Sequence, residues 1–438
     1  MIGTTNQMEK NMNNKKVHYA WWIMVSCMAM MFGCTGILVG AQGIFFRSVV
    51  EGLRIKASEF SFYLTIGHFA RAFSMPFAGK LLNTYDNRPL ISLAIIFQAG
   101  AFICMGLYET IFGFYISAVI MGIAASITQT MSVPVLINNW FEKKAGTVMG
   151  ITMSFSGIGA AIMQYVGAVV INQYGWKTAY FILGLIAITM TLPFALFVIR
   201  TKPSEKNLLP YGAENSLNTT KNIFKSLNPD EQKNEENIHD NSLFYIMVIF
   251  AVAVGYISSF QAHISNFASS IGVDIVKTGL VASVASVALI AGKFTVGFIY
   301  DRFGLRMTIL IYSLFGVVAA IIKIIFTASV LKNPYTISIS IAFCSGILFA
   351  VPTTLTPIIT RALFGSKIYS LVYSKIVMFY SLSMAFGSTI NGIIYDIFES
   401  YFPILIIIGI MSVITIFLVY IATNKTNIRR DIYNRCEQ

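Results

Sequence analysis

Apolar residues fill runs of about twenty positions along almost the whole chain, and short polar clusters separate them. The runs lie at roughly 19–46, 58–83, 88–107, 111–138, 143–171, 177–199, 241–268, 275–300, 307–328, 335–361, 368–395 and 401–423. About twenty helical residues cross the hydrocarbon core of a bilayer, because each residue adds about 1.5 Å. The runs are continuous rather than alternating, which predicts helices and argues against a β-barrel. The expected fold is therefore an all-α membrane protein with twelve transmembrane helices.

One long polar break interrupts this pattern. Residues 200–241 include NLLPYGAENSLNTTKNIFKSLNPDEQKNEENIHD, rich in Asn, Lys and Glu. Such a composition buries little apolar surface and predicts a flexible linker. The expected organisation is a tail at 1–18, a six-helix half at 19–199, the linker at 200–241, a second half at 242–423 and a tail at 424–438. The halves share landmarks. FAGKLLNTYDNR after helix 2 aligns with VGFIYDRFGLR after helix 8, so that Gly79 matches Gly297 at an offset of 218 residues. Pro134 in helix 4 and Pro352 in helix 10 share that offset. Two pseudo-symmetric six-helix halves, related by an axis along the membrane normal, describe a transporter architecture.

Composition agrees. The chain is 56% hydrophobic and only 11% charged, whereas soluble domains average about 25% charged. The net charge of +12 reports topology rather than nucleic acid: 21 of the 31 Lys and Arg residues fall on segments that share a side with the N-terminus, and six fall on the opposite loops. By the positive-inside rule both termini are expected in the cytoplasm, and the expected site is the plasma membrane, with anionic lipid as a surface partner. Helix 1 is expected to act as an uncleaved insertion signal. A monomer is expected. The five Cys residues have no paired spacing, and the four His residues (18, 68, 239 and 263) have none of metal-ligand type. No nucleophile elbow, P-loop or dinucleotide fingerprint occurs. Neither enzyme chemistry, nor a metal, nor a cofactor is expected.

Four basic residues lie within the predicted helices: Arg71, Lys293, Lys323 and Lys375. An ammonium in hydrocarbon costs about 2.5 kcal/mol or more. Lys323 is near a helix end, where a long stem snorkels to water. Arg71 is near the middle of helix 2, Lys293 about 12 Å inside helix 8 and Lys375 about 10 Å inside helix 11. Each of these three is open to a structural reading, by snorkelling or by bonds to carbonyls and hydroxyls. The interiors of the twelve segments contain no Asp or Glu. The buried cations therefore lack a fixed counter-ion, and an anion from water would supply the missing charge. The same absence weakens readings that need an intramembrane carboxylate, such as export of cationic drugs or a carboxylate proton relay. The expected binding set is Lys293, Lys375, Arg71, His68, Gln42 and Tyr373. His68 and Arg71 share a face of helix 2, and His68 is equally a candidate for a packing role. Gly146 and Gly150 form a G-x-x-x-G spacing, the mark of close helix packing.

The loop GFIYDRFGLR, residues 297–306, resembles the signature loop of the major facilitator superfamily, G-x-x-x-D-R-x-G-R-[RK]. Gly297, Asp301, Arg302 and Gly304 match. Leu305 replaces one basic residue, and Arg306 keeps the next. In the first-half copy Gly79 and Arg88 are kept, Asn83 replaces the Asp, and Asp86 replaces a Gly. Gating is expected at Gly79, Asn83, Arg88, Gly297, Asp301, Arg302, Gly304 and Arg306. Asp301 is expected to dominate, because Asn83 cannot carry charge and a carboxylate suits a neighbouring helix N-terminus. A narrower resemblance is to the oxalate/formate antiporters and the related monocarboxylate transporters. These carry a basic residue four positions before the signature Gly, where this chain has Lys293. YSLVYSK at 369–375 is similar to the helix 11 segment of the oxalate/formate group, with Lys375 at its basic position. HYAWW, NNWFEKKAGTVMGITMSFSGIGAAI and KPSEKNLLPYG add to the likeness. The Asp that animal monocarboxylate transporters place four residues before the helix 8 Arg is Leu289 here. Lys in place of Arg also loses the planar fork for a carboxylate. The resemblance implies a secondary transporter of small carboxylate anions in which Lys293 and Lys375 converge, with exchange favoured because the empty carrier holds uncompensated cations. A proton-coupled monocarboxylate carrier and a non-transporting substrate sensor remain open at this level.

Overall fold

The computed structural model describes residues 18–436 apart from 56, 214–240, 274, 328–332 and 366–367. The described chain is helical throughout, with a single isolated bridge at Phe141–Tyr211 as its only extended pairing. Helix α1 spans Ala20–Phe45, α2 Ala57–Thr84, α3 Asn87–Met105 and α4 Ile111–Trp140. Helices α5 and α6 share the helical run Ala145–Val198 and part at Gly175. Helix α7 begins at Asn241 and continues through a short turn to Ser270. Helices α8 and α9 share the run Ile275–Thr327 and part at Gly304. Helix α10 spans Pro334–Phe364, α11 Tyr369–Phe398 and α12 Phe402–Cys436.

Nine runs among the described residues are long and apolar enough to cross a membrane, and two of them are the double runs. Helix α2 is the remaining one. It carries Glu59, His68, Arg71 and Lys80, so its polarity sets it apart from the others. Large apolar side chains such as Phe77, Phe112, Phe197 and Ile397 stand on the outside of the bundle. In water such a surface would aggregate; against lipid it is the ordinary exterior.

The 218-residue offset reappears in the backbone. Helix α1 tightens into a turn of 3₁₀ helix at Gln42–Phe45, and α7 does the same at Phe260–His263, 218 residues later. Short helices, Phe46–Leu53 and Ile264–Ser270, follow in each copy.

Each half has an apolar core of its own, a third core joins first-half residues to Ile358, Tyr369, Tyr373 and Val377 of the second half, and the halves meet along two seams: α5 against α8, and α2 against α11. The seams are close because glycines line them. A Cβ at Gly297 would fall inside the Gly146 carbonyl, and one at Gly150 would lie 2.5 Å from the Lys293 carbonyl oxygen. On the other seam, a Cβ at Gly79 would lie 2.5 Å from Ser374 Oγ and 2.7 Å from the Ser370 carbonyl oxygen.

Residues 200–213, expected to be part of a free tether, are instead packed as a strap. Trp140 Nε1 donates to the Arg200 carbonyl at 2.8 Å, and Tyr211 N donates to the Trp140 carbonyl at 2.8 Å. The amides of Glu142 and Lys143 donate in turn to the Tyr211 carbonyl. The Tyr211 ring packs edge-on against Trp21. Aromatic residues in a polar stretch thus anchor what composition alone reads as loose. The rest of the expected linker, 214–240, lies outside the described residues, as do residues 1–17 of the expected tail. The end of the bundle bearing this strap is termed the linker end, and the opposite one the far end.

Candidate functional site: Lys293 and Arg71

Lys293 projects from α8 toward α5 and is 6% exposed. Its Nζ donates to Ser156 Oγ at 2.9 Å. Along its own helix nothing polar is in reach, so the partner comes from the opposite half. The glycines of α5 allow this by bringing the two backbones together. Ser154 on the same seam donates to the Gly150 carbonyl of its own helix at 2.8 Å and also reaches the Ile290 carbonyl of α8 at 3.4 Å.

Arg71 projects from α2 toward α4. Its Nε and Nη2 donate to Thr130 Oγ1 at 3.2 and 2.6 Å. Thr130 lies in the widened turn Ser126–Met131 of α4. Such π-type turns displace side chains from regular helix register and recur at functional sites. One turn further along α2, Ser381 Oγ of α11 donates to Met75 Sδ at 3.8 Å across the seam between the halves. Gln42, His68 and Arg71 line one cavity of about 50 Å³ among α1, α2 and α4. Gln42 Nε2 donates to the Leu38 carbonyl at 2.8 Å, which ties part of that amide to its own helix. Tyr373 is buried, and its ring stacks on Tyr369 at 5.2 Å.

Lys375 does not join them. It is exposed on the outer face of α11, with its Nζ 6.0 Å from the centroid of the Phe244 ring. The cause is the α2–α11 seam: Ser370 and Ser374 turn toward Gly79. One residue advances a helix by about 100°, which rotates Lys375 away from that face. Its long stem covers an aromatic edge instead. The expected convergence of Lys293 and Lys375 is therefore absent.

Every Asp and Glu whose burial is described is exposed. An ion pair, Lys177–Glu109 at 3.6 Å, joins the start of α6 to the α3–α4 loop at the far end. Neither Lys293 nor Arg71 has a carboxylate partner among the described residues.

At the linker end Asp301 crosses from α8 to the start of α5. Its Oδ1 accepts from Gly146 N at 3.2 Å, and its Oδ2 accepts from Thr147 N at 2.7 Å and Thr147 Oγ1 at 2.6 Å. Helix α5 begins after Lys144, which is left-handed (φ 59°) and offers no side-chain cap. The cap is thus supplied by the other half, where a carboxylate also meets the positive end of the helix dipole. Gly304 has φ 75° and ψ 179°, a backbone region open essentially to glycine alone, and it makes the turn from α8 to α9.

Of the other expected gating residues, Gly79 and Gly297 pack across the seams, whereas the polar ones make no bond to the opposite half among the described residues. Arg302 is exposed and lies 5.6 Å over Phe303. Arg306 Nε donates to Thr423 Oγ1 at 2.9 Å, which braces α9 against α12 of the same half. Asn83 is exposed at the end of α2, and the backbone N–H of Arg88 is capped by Asp86 Oδ1 at 3.1 Å. A cross-half contact that sequence reasoning missed is Arg361 on α10. Its Nη1 donates to Asn138 Oδ1 at 3.1 Å and to the Phe141 carbonyl at 2.8 Å, both at the end of α4. In the sequence it counts only as one more topology charge. Ser156 and Thr130 carry no signal there either, because hydroxyl residues are scattered through most of the helices.

Known proteins share this architecture. Residues 21–326 and 243–433 match the Major Facilitator Superfamily. Monocarboxylate transporter 12 of Mus musculus is 21% identical over 413 residues, covering 89% of this chain and 82% of its own. The multidrug resistance protein MdtG of Proteus mirabilis is 24% identical over 281 residues, covering 62% and 66%. The superfamily transporter FucP, crystallised in the outward conformation, superposes with a TM-score of 0.69 at 12% identity over 91% of this chain and 98% of its own.

Proposed function

Because the chain belongs to the Major Facilitator Superfamily and is a transporter by family and fold, we propose that it carries small organic anions, mono- or dicarboxylates, across the plasma membrane by exchange. Its halves, 19–199 and 242–423, rock about the bound anion with both termini in the cytoplasm, and the linker 200–241 joins them. The observation that carries this reading is Lys293: a buried ammonium held by one serine hydroxyl, with no carboxylate among its described neighbours. A neutral hydroxyl offsets only part of the desolvation of a charge. An anion arriving from water supplies the rest. The monocarboxylate transporters among the relatives support the substrate class.

Counterflow in proteoliposomes tests the proposal. Vesicles are loaded with unlabelled formate, acetate, lactate, pyruvate, oxalate, malonate or succinate, and uptake of labelled partners is followed. Exchange by the wild type that vanishes in Lys293→Ala is expected. Full exchange in that variant would remove Lys293 from the site, and no exchange of any carboxylate by folded wild type would remove the anion reading.

A second reading has its own observation. His68 shares the small cavity with Arg71, and a histidine there offers a proton site for a monocarboxylate carrier coupled to protons. Uptake driven by an imposed pH gradient without internal substrate, and lost in His68→Gln, would favour it over exchange.

A further inference from the structure

Two grips of the second half on the linker end converge on one short corner of the first. Arg361 donates to Asn138 Oδ1 and to the Phe141 carbonyl, and Asp301 receives the amides of Gly146 and Thr147. Both grips fall between residues 138 and 147, where α4 turns into α5. The strap holds the middle of that corner. We infer that Tyr211 and the strap around it are positioning elements of the gate: they shape the α4–α5 corner so that both grips form, and they thereby set the balance between the closed and the open linker end.

The corner does not fix its own shape. Phe141 is extended (φ −124°, ψ 121°) and Lys144 is left-handed (φ 59°), so the helical ladder is broken between α4 and α5. Tyr211 supplies the missing partners. Its N–H donates to the Trp140 carbonyl at 2.8 Å, and the Glu142 amide donates to the Tyr211 carbonyl at 3.1 Å. These two bonds straddle Phe141 in a parallel bridge. In that pattern the straddled residue turns its own N–H and carbonyl away from the partner chain. The Phe141 N–H accordingly goes to the Ile137 carbonyl at 2.9 Å, and the Phe141 carbonyl goes to Arg361 at 2.8 Å. The strap thus presents to the second half the carbonyl that it does not use itself. The Lys143 amide also donates to the Tyr211 carbonyl, at 3.2 Å, one residue before the left-handed turn that opens α5 toward Asp301.

The strap is anchored in its own half. Tyr19 Oη donates to the Val198 carbonyl at 2.7 Å, Asn139 Nδ2 to the Thr201 carbonyl at 3.0 Å, and the Asn87 amide to Thr201 Oγ1 at 3.2 Å. Gly212 then turns the chain with φ 93°, and a Cβ there would lie 2.6 Å from Lys143 Cβ. Toward the second half the strap faces open space: Tyr211 and Gly212 share a cavity of about 890 Å³ with Tyr300, Asp301 and Leu305. Its influence on closure therefore runs through the hydrogen bonds of the corner.

The test reads the linker end without any substrate, so its outcome is independent of the anion reading. Spin labels at 84 and 302, exposed positions at the linker ends of α2 and α8, report the distance between the halves of the full chain in proteoliposomes. Wild type is expected to show a dominant short distance. Tyr211→Ala removes the ring that packs on Trp21, and Gly212→Ala strains the backbone against Lys143. Each is expected to raise the long-distance population about threefold to tenfold, as the loss of one hydrogen bond from the closed state would. Tyr211→Phe keeps the ring and is expected to match wild type. Phe114→Leu, in the first-half core at the far end, is expected to lower Tm without moving the distribution. An unchanged distribution in both Tyr211→Ala and Gly212→Ala would overturn the inference. So would the same shift in Phe114→Leu, or a wild type without the short-distance population.

Discussion

At Lys293 a charge and a hydroxyl from opposite halves meet at 2.9 Å. Burying that ammonium costs about 2.5 kcal/mol or more. One hydrogen bond to a charged group returns about 1.5–3 kcal/mol. The two are of similar size, so the empty site is tolerable without being saturated. Ser156→Ala is expected to raise the apparent KM for exchange by about threefold to tenfold while leaving the maximal rate within about twofold. A KM unchanged in counterflow would show that the hydroxyl is incidental. Lys375 provides the contrast. It lies exposed over the Phe244 ring, so Lys375→Gln is expected to leave exchange within about twofold of wild type. Loss of exchange in that variant would mean that α11 turns during transport and brings the lysine inward.

Among the helices, the start of α5 depends on a residue in another element. Lys144 cannot cap it, and Asp301 of α8 receives the amides of Gly146 and Thr147. Removing a cap costs about 0.5–2 kcal/mol, and removing a charge from a helix terminus costs about 0.3–1 kcal/mol. Asp301→Ala is therefore expected to weaken closure at the linker end. Spin labels on the exposed positions 143 and 302 are expected to show a longer or broader distance distribution in the variant. An unchanged distribution would count against the latch. Gly297→Ala attacks the same seam by volume, because its Cβ would occupy the space of the Gly146 carbonyl. Overpacking of this kind costs about 1–3 kcal/mol. The expected result is the same widening of that distance. Gly304→Ala acts on the turn instead, through a backbone conformation closed to Cβ-bearing residues at a cost of about 1–3 kcal/mol. A lowered Tm is its expected mark.

The molecule as a whole is two six-helix bodies closed on each other at the linker end, where Asp301 and Arg361 both cross. The strap at 200–213 holds the α4–α5 corner from behind, with Tyr211 bonded to Trp140, Glu142 and Lys143. On the exchange reading proposed above, the buried Lys293 ammonium resists closure around an empty site, because its charge is left without a counter-ion in a low-dielectric medium. Efflux into buffer lacking any carboxylate is accordingly expected to run at least about tenfold slower than efflux into a carboxylate solution. Equal rates in the two buffers would point to uniport.

The sequence by itself determined the class of fold. Helix count and the six-plus-six division follow from apolar run length, because hydrocarbon demands that each crossing satisfy its own backbone. The repeat was legible at Gly79 and Gly297, since a conformation or close approach that needs glycine leaves a visible mark. The absence of interior carboxylates was legible too, because it needs only counting. Tertiary structure decided everything that turns on direction. Which face of α11 Lys375 occupies, and which hydroxyls meet Lys293 and Arg71, depend on helix rotation and on partners far away in sequence. The strap went unread for a related reason: composition measures the average polarity of 200–241, whereas packing needs only a few aromatic residues and backbone bonds at one end of it.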